Sequence, residues 1–328
     1  MTDKIRVVMM GTPDFAVPTL RELVQLADVE VVLVITQPDK PIGRKRELVP
    51  SPIKSAALSY GLKVRQPDKV SSAAFIEELS GFQPDVLVTA AYGQILSNKL
   101  LEIPPLGCLN VHASLLPRWR GAAPIHRAIM AGDDVTGVTI MKTVRALDAG
   151  PVLGTKAVSI TASDTVGTIH DRLAESGAKL LARLLPIYAS GRLVPRAQDE
   201  SQVTYAARIL REDEWVRFTD GKWAVHNHVR GLSPWPGATV LFDGQPLKLW
   251  QTHWPERNAE ASWDDLLPEA PLGTVSLLGN GSVFVKCNDG WLELSSVQPS
   301  GKKRMSAGDW MRGLRRSQVR FEPLEETK

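Results

Sequence analysis

Hydrophobic positions in the first 112 residues alternate between two spacings. IRVVMM, residues 5 to 10, is an unbroken apolar run that stops at Gly11, whereas DFAVPTLRELVQL, 14 to 26, spaces its apolar side chains at helical intervals. VEVVLVIT, 29 to 36, returns to strand, so the opening reads as a βαβ unit. Helical stretches around 52 to 60 and 71 to 80, a short strand at LKVRQ, and strands at DVLVTAA, 85 to 91, and GCLNVH, 107 to 112, continue the alternation. Strands apolar on both faces are covered on both faces, and the sequence predicts a doubly wound, Rossmann-like α/β domain with a parallel sheet. GTPDF, 11 to 15, looks like the glycine turn of a dinucleotide fold but lacks G-x-G-x-x-G, which gives a nicotinamide cofactor weak support.

Beyond residue 191 this pattern dissolves. RLVPRAQDESQVTYAARILRED mixes proline, serine and charge without a period, the texture of an interdomain connection. TVLFDG, QPLKLWQTHW, GTVSLLGNGSVFVKC and GWLELSSVQ then follow as short strands with Gly, Asn and Asp turns between them. Closing them into a small OB-like barrel would remove exposed strand edges. At 328 residues the chain exceeds one ordinary core. The expected division is an α/β domain over 1–191, a linker over 192–207 and a β-rich domain over 208–320.

Composition narrows the setting. No stretch approaches the roughly 20 apolar residues of a bilayer span, and MTDKIRVVMMGT enters a strand without a cleavable signal pattern, so a cytoplasmic protein with no membrane association is expected. Cys108 and Cys287 are far apart without metal-ligand spacing, and His126, His170, His226, His228 and His253 form no credible ligand set; no metal is expected. Net charge is +3, and its distribution matters more than its sum. In QPDKPIGRKRELVPSP, 37 to 52, the prolines and Gly43 predict irregular backbone through the middle, with Arg44, Lys45 and Arg46 crowded at its tip. A second cluster, Lys302, Lys303, Arg304, Arg312, Arg315, Arg316 and Arg320, is opposed over 300–320 only by Asp309. Such runs are either solvated surface or binding sites for phosphates.

LNVHASLLPRWRGAAP, 109 to 124, carries the candidate chemistry. Along a strand, Cys108, Asn110 and His112 face one way and Leu109 and Val111 the other, which sets two polar groups at the carboxyl edge of the sheet, where open α/β sheets place their ligands. The same residues also suit a loop-satisfying asparagine and a hydrogen-bonded core histidine. Ser114, Leu115, Leu116 and Pro117 form a stiffened turn that either lines a site or caps the strand. Arg118, Arg120 and Arg127 fit an anionic ligand or a plain surface equally.

N-x-H-x-SLLP-x-x-RG-x-x-P, with GVTIM at 137 to 141 and LDAG at 147 to 150, resembles the folate-dependent formyltransferases. AYGQIL, GRKRELVPSP, TYA, SPWPGA and QPSGKKRM extend the resemblance to the branch that acts on methionyl-tRNA. The basic loop departs from the branch in reading GRKREL where relatives resemble GRGKKL; charge is retained and a glycine is lost. The resemblance implies transfer of the formyl group of 10-formyltetrahydrofolate to the α-amino group of methionyl-initiator-tRNA, in translation initiation. It implies Asn110, His112 and Asp148 as catalytic residues, because formyl transfer needs donors for an oxyanion and a group that takes the proton of the amine. Ser114 to Pro117 would line the folate site, Arg44, Lys45 and Arg46 would meet the acceptor end of the tRNA, and Lys302, Lys303 and Arg304 would bind its backbone. No metal and no obligatory protein partner are implied. Two alternatives stay open: a relative that formylates a small amine such as a sugar nucleotide or glycinamide ribonucleotide, and a nucleic-acid-binding module on a silent α/β domain.

Overall fold

A computed structural model of the chain describes residues 4–42, 47–254 and 269–322. Strand β1 (Ile5–Gly11) leads through a 3-10 turn into α1 (Val17–Gln25), which carries proline in its first turn, where the missing N–H costs nothing. β2 (Val29–Ile35) follows. Next comes a ribbon of β3 (Lys40–Ile42) and β4 (Glu47–Val49), with Lys40 opposite Val49 and Pro41 opposite Leu48. Irregular backbone is expected through the middle of this stretch, which lies outside the described residues; the ribbon that flanks it is two-stranded among the described residues and tolerates proline because one edge needs no donor. α2 (Pro52–Ser59) is capped by the Ser51 side chain, which accepts from the Lys54 N–H, and β5 is only Val64–Arg65. α3 (Ala73–Gly81), β6 (Val86–Ala90), α4 (Asn98–Leu101) and β7 (Cys108–His112) complete the pattern, with Ser72 and Ser97 capping the two helices.

The remaining elements of the first half are β8 (Arg120–Gly121), α5 (Pro124–Met130), β9 (Val135–Lys142), β10 (Val152–Ser159), α6 (Val166–Ala189) and β11 (Tyr205–Ala206). The sheet order is β10-β9-β7-β6-β1-β2-β5. Its five strands from β7 to β5, which include every strand read in the first 112 residues, pair in parallel as expected; β9 extends the sheet antiparallel to β7, and β10 pairs antiparallel with β9. The stretch expected to be a plain connection is built into this fold. Arg196 bridges Val152, and β11 pairs in parallel with β8.

Contacts divide the chain into two units. One holds Met1–Pro124, Val135–Ser159 and His170–Ala206; the other holds Ile125–Asp134, Ile160–Ile169 and Ala207–Lys328. The second contains α7 (Lys222–Arg230), β12 (Ala238–Phe242), β13 (Gln245–His253), β14 (Thr274–Leu277), β15 (Val283–Cys287), β16 (Gly290–Pro299), β17 (Met305–Ser306), α8 (Ala307–Leu314) and β18 (Gln318–Arg320). Asp243 and Gly244, both at positive φ, make the two-residue turn between β12 and β13. The antiparallel sheet, ordered β12-β13-β16-β15-β14-β18, curls until Leu241 at one edge bridges Glu322 just past the other. Val240, Leu249, Leu292, Val297, Met311 and Phe321 fill the interior, and Trp310 of α8 stacks on Phe321.

Polar groups are also buried in this second unit. Arg230, 5% exposed, donates Nε–H to Asn227 and Nη1–H to the carbonyls of Thr161 and Asp164. His226 donates from Nε2 to the carbonyl of Ala162 and accepts at Nδ1 from the Thr252 hydroxyl. Burial pushes its pKa from 6.5 down to about 4. A folded-state value below the unfolded one means that this contribution is fully present above about pH 6.5 and is lost as the pH falls toward 4. The gap corresponds to about 3 kcal/mol. Glutamine can make both hydrogen bonds without titrating. In urea unfolding followed by tryptophan fluorescence, His226→Gln is expected to lose less stability than the native chain between pH 7 and pH 4.5, by about 2 kcal/mol; equal losses would contradict the assignment.

Candidate active site

β7 is pinned on both sides. Thr89 of β6 stands opposite Asn110, and Thr139 of β9 stands opposite His112. A Cβ on Gly177 of α6 would meet Val111 Cγ1 at 2.6 Å, so Val111 faces α6, while Cys108 packs among Met10, Leu33 and Leu87 on the other side. By strand alternation Asn110 and His112 share the side of Cys108. The Thr89 hydroxyl lies 2.9 Å from Asn110 Oδ1 and 3.2 Å from the Leu109 carbonyl, its one proton shared between these acceptors, and both N–H groups of the half-buried Asn110 are without a protein acceptor among the described residues.

His112 is 6% exposed, and its Nε2 lies 3.1 Å from the carbonyl oxygen of Trp119. A carbonyl only accepts, so the proton of the neutral ring is on Nε2 and Nδ1 carries the lone pair. Nδ1 is 3.7 Å from Asp148 Oδ2. A proton taken up there would sit beside the carboxylate.

Asp148 occupies the left-handed region at φ +46°, where a non-glycine residue costs on the order of 1 kcal/mol unless its surroundings hold it. Its Oδ2 accepts from the Gly121 N–H at 2.8 Å. The Gln198 amide donates to the carbonyls of Asp148 at 2.7 Å and Gly150 at 2.8 Å. Gly150 is required, since a Cβ there would collide with the Lys142 carbonyl. Gln198 Oε1 in turn accepts from Nε and Nη2 of Arg120 at 3.1 and 2.9 Å. Arg120 is 3% exposed and also makes a two-toothed ion pair with Glu200, which raises the pKa of the arginine and lowers that of the glutamate. Sequence reasoning missed Thr89, Trp119, Gln198 and Glu200 and left Arg120 unassigned. No local pattern marks a glutamine inside a stretch that reads as a connection.

The turn after β7 is organised by one hydroxyl. Thr139, fully buried, donates to the Ser114 carbonyl at 2.7 Å and accepts from the Leu116 N–H at 3.1 Å. Ser114 is also fully buried, its hydroxyl donating to the Arg118 carbonyl at 2.7 Å, so this side chain offers nothing outward. Leu116 is 8% exposed, whereas Leu115 and Pro117 are half-buried. Leu115 covers Gly137, where any Cβ would strike it. β6 and β7 are adjacent and parallel, so AYGQIL and SLLP leave the same edge of the sheet.

Other sequence candidates lie elsewhere. Arg44, Lys45 and Arg46 fall outside the described residues, between β3 and β4. Lys302, Lys303 and Arg304 are exposed in the second unit; Arg304 donates to Ser296 Oγ and lies over Trp250, and Lys302 lends its carbonyl to Gln298. Arg127 is ion-paired with Asp213, and Arg118 lies over Trp119. Burial raises the thiol of Cys108 to about 11 and that of Cys287 to about 12, so neither is a nucleophile near neutrality. Among the described residues there is no group of three metal-ligating side chains, and no helix is long and apolar enough to cross a membrane. An open groove of about 590 Å³ along β10 and α6 includes Ser159, Asp171, Arg172 and Glu175 and none of the residues above.

Comparison with known proteins fits this geometry. The formyl transferase family matches residues 3–185, and the family of formyl transferase C-terminal domains matches 208–315. A methionyl-tRNA formyltransferase from Macrococcus caseolyticus is 44% identical over 310 residues, covering 94% of this chain and 96% of its own. That of Bacillus licheniformis is 46% identical, covering 94% and 95%. Among solved structures, the sugar 3N-formyl transferase WlaRD, determined with dTDP and 5-N-formyl-THF, superposes with a TM-score of 0.64 over 91% of this chain and 99% of its own at 16% identity, a likeness of fold. With the first unit matched over most of its length and curated relatives aligned nearly end to end, the chain belongs to the formyl transferase family.

Proposed function

We propose that the protein formylates the α-amino group of methionyl-initiator-tRNA with 10-formyltetrahydrofolate, in the cytoplasm, for translation initiation. The observation that carries the chemistry is the Asn110 amide, its oxygen against the Thr89 hydroxyl and both N–H groups unspent among the described residues, beside a histidine whose basic nitrogen faces a carboxylate. The acceptor follows from relatives named for methionyl-tRNA that align over 94% of the chain, second domain included. The division of labour proposed is chemistry over 1–191 and tRNA binding over 208–320, joined by 192–207, with the curled sheet of the second unit serving as an OB-like barrel whose basic face meets phosphates.

Folate supplies an activated formyl carbon on a nitrogen leaving group. Leu115 and Pro117 beside AYGQIL offer the apolar surface that a flat ring system needs, with the buried Ser114 and Leu116 shaping the turn beneath. As the amine adds, negative charge builds on the formyl oxygen, and the Asn110 N–H groups donate to it. His112 Nδ1 takes the proton that the amine loses, and Asp148 stabilises the resulting imidazolium; the intermediate then collapses by breaking the bond from the formyl carbon to N10, and that proton passes to N10 as tetrahydrofolate leaves. Arg44, Lys45 and Arg46, with Lys302, Lys303 and Arg304, neutralise tRNA phosphates. No metal has a role.

Two measurements follow. Asn110→Ala is expected to lower kcat about a hundredfold or more with folate affinity nearly intact; near-native turnover would sink the donor assignment. Replacing Arg44, Lys45 and Arg46 together by Ala should weaken tRNA binding and flatten the plot of log affinity against log salt by about 0.9 per lost phosphate contact. An unchanged slope with unchanged tRNA kinetics would make the loop ordinary solvated surface, and efficient formylation of a sugar nucleotide instead of methionyl-tRNA would overturn the acceptor.

A further inference from the structure

The Asp148 turn is held by a side chain with no reason to be there unless position matters. Gln198 Nε2 bridges two carbonyls that flank one peptide, those of Asp148 and Gly150, while its Oε1 takes two hydrogen bonds from Arg120. The two ends of this amide therefore face opposite demands. Carbonyls only accept and a guanidinium only donates, so the residue between them must do both in one fixed orientation. Glutamate cannot donate to the carbonyls, lysine cannot accept from the arginine, and asparagine is one methylene short. The carboxylate oxygen facing His112 is fixed separately, by the N–H of Gly121, the residue that follows Arg120. Side chain and backbone of Asp148 are thus tied to one two-residue strand, β8.

We infer that Gln198 is a positioning residue: by clamping the carbonyls of Asp148 and Gly150 against Arg120, it holds the Asp148 carboxylate at His112. The inference rests on the formyl-transfer reading and names a residue from the stretch expected to connect the two domains, which packs with the first unit. Gln198 touches no reacting atom and acts through Asp148. Without the clamp, a backbone at positive φ relaxes, and a shift of about 1 Å in a catalytic group costs on the order of a hundredfold in rate. A residue needed only for packing would instead lower stability and leave turnover per folded molecule unchanged.

The test uses the full chain with Gln198→Ala and Gln198→Glu, each alone and combined with Asp148→Asn. Glutamate keeps an acceptor for Arg120 and removes the donor to the carbonyls, so Gln198→Glu is expected to stay folded. Expected are a fall in kcat of roughly 10- to 100-fold for both single variants, KM for the folate within about twofold of native, and no further loss when either is added to Asp148→Asn. Native kcat, a rise in KM alone, losses that multiply in the Asp148→Asn background, or failure of Gln198→Glu to fold would each overturn the inference. Hydrolysis of the formyl donor by water, measured in parallel, separates this claim from the acceptor. A Gln198 effect on hydrolysis without transfer to methionyl-tRNA keeps the clamp and removes the acceptor reading; a native chain with neither activity overturns both.

Discussion

Three consecutive residues, Trp119, Arg120 and Gly121, are the constraint on which the site depends. The carbonyl of Trp119 fixes the ring of His112, the guanidinium of Arg120 fixes Gln198, and the N–H of Gly121 fixes the carboxylate of Asp148. A guanidinium that is 3% exposed must find acceptors, because leaving a buried charge without its partner costs about 3 to 5 kcal/mol. That requirement draws Gln198 and Glu200 onto the first unit, and the pairing of β8 with Tyr205–Ala206 keeps them there.

The sheet supplies the rest by register. Placing β9 antiparallel beside β7 sets Thr139 opposite His112, where one hydroxyl organises the following turn, and sends the chain on into the loop that carries Asp148. Two glycines make this possible by leaving room: Gly137 beneath Leu115 and Gly150 against the Lys142 carbonyl. The second unit solves a similar problem differently. Its Arg230 and His226 satisfy backbone carbonyls of 161–164, so polar burial there organises the fold.

Much of this was legible in the sequence, because strands buried on both faces write continuous apolar runs and the helices between them space their apolar residues at helical intervals. N-x-H at a strand end placed Asn110 and His112 on one face, and the resemblance carried by LDAG added Asp148, whose carboxylate lies 3.7 Å from His112 Nδ1. What the sequence hid is non-local. The antiparallel turn of β9, the ribbon around Pro41 and the buried status of Ser114 depend on partners 23 or more residues away or on edge position. Gln198 was hidden for a stronger reason: an amide in a stretch rich in Pro, Ser and charge has no periodicity to betray it, and its meaning exists only once Arg120 and Asp148 are adjacent.

The central claim is that this three-residue segment sets the proton on His112. It is tested most directly by the nitrogen-15 spectrum of the histidine-labelled protein at a pH where the ring is neutral, with the resonance assigned by its loss in His112→Gln. The account predicts the tautomer protonated at Nε2, with Nδ1 at the shift of an unprotonated nitrogen, because only that tautomer can donate to the Trp119 carbonyl. A ring protonated at Nδ1 would place the donor toward Asp148, remove the basic nitrogen from the carboxylate, and contradict the account.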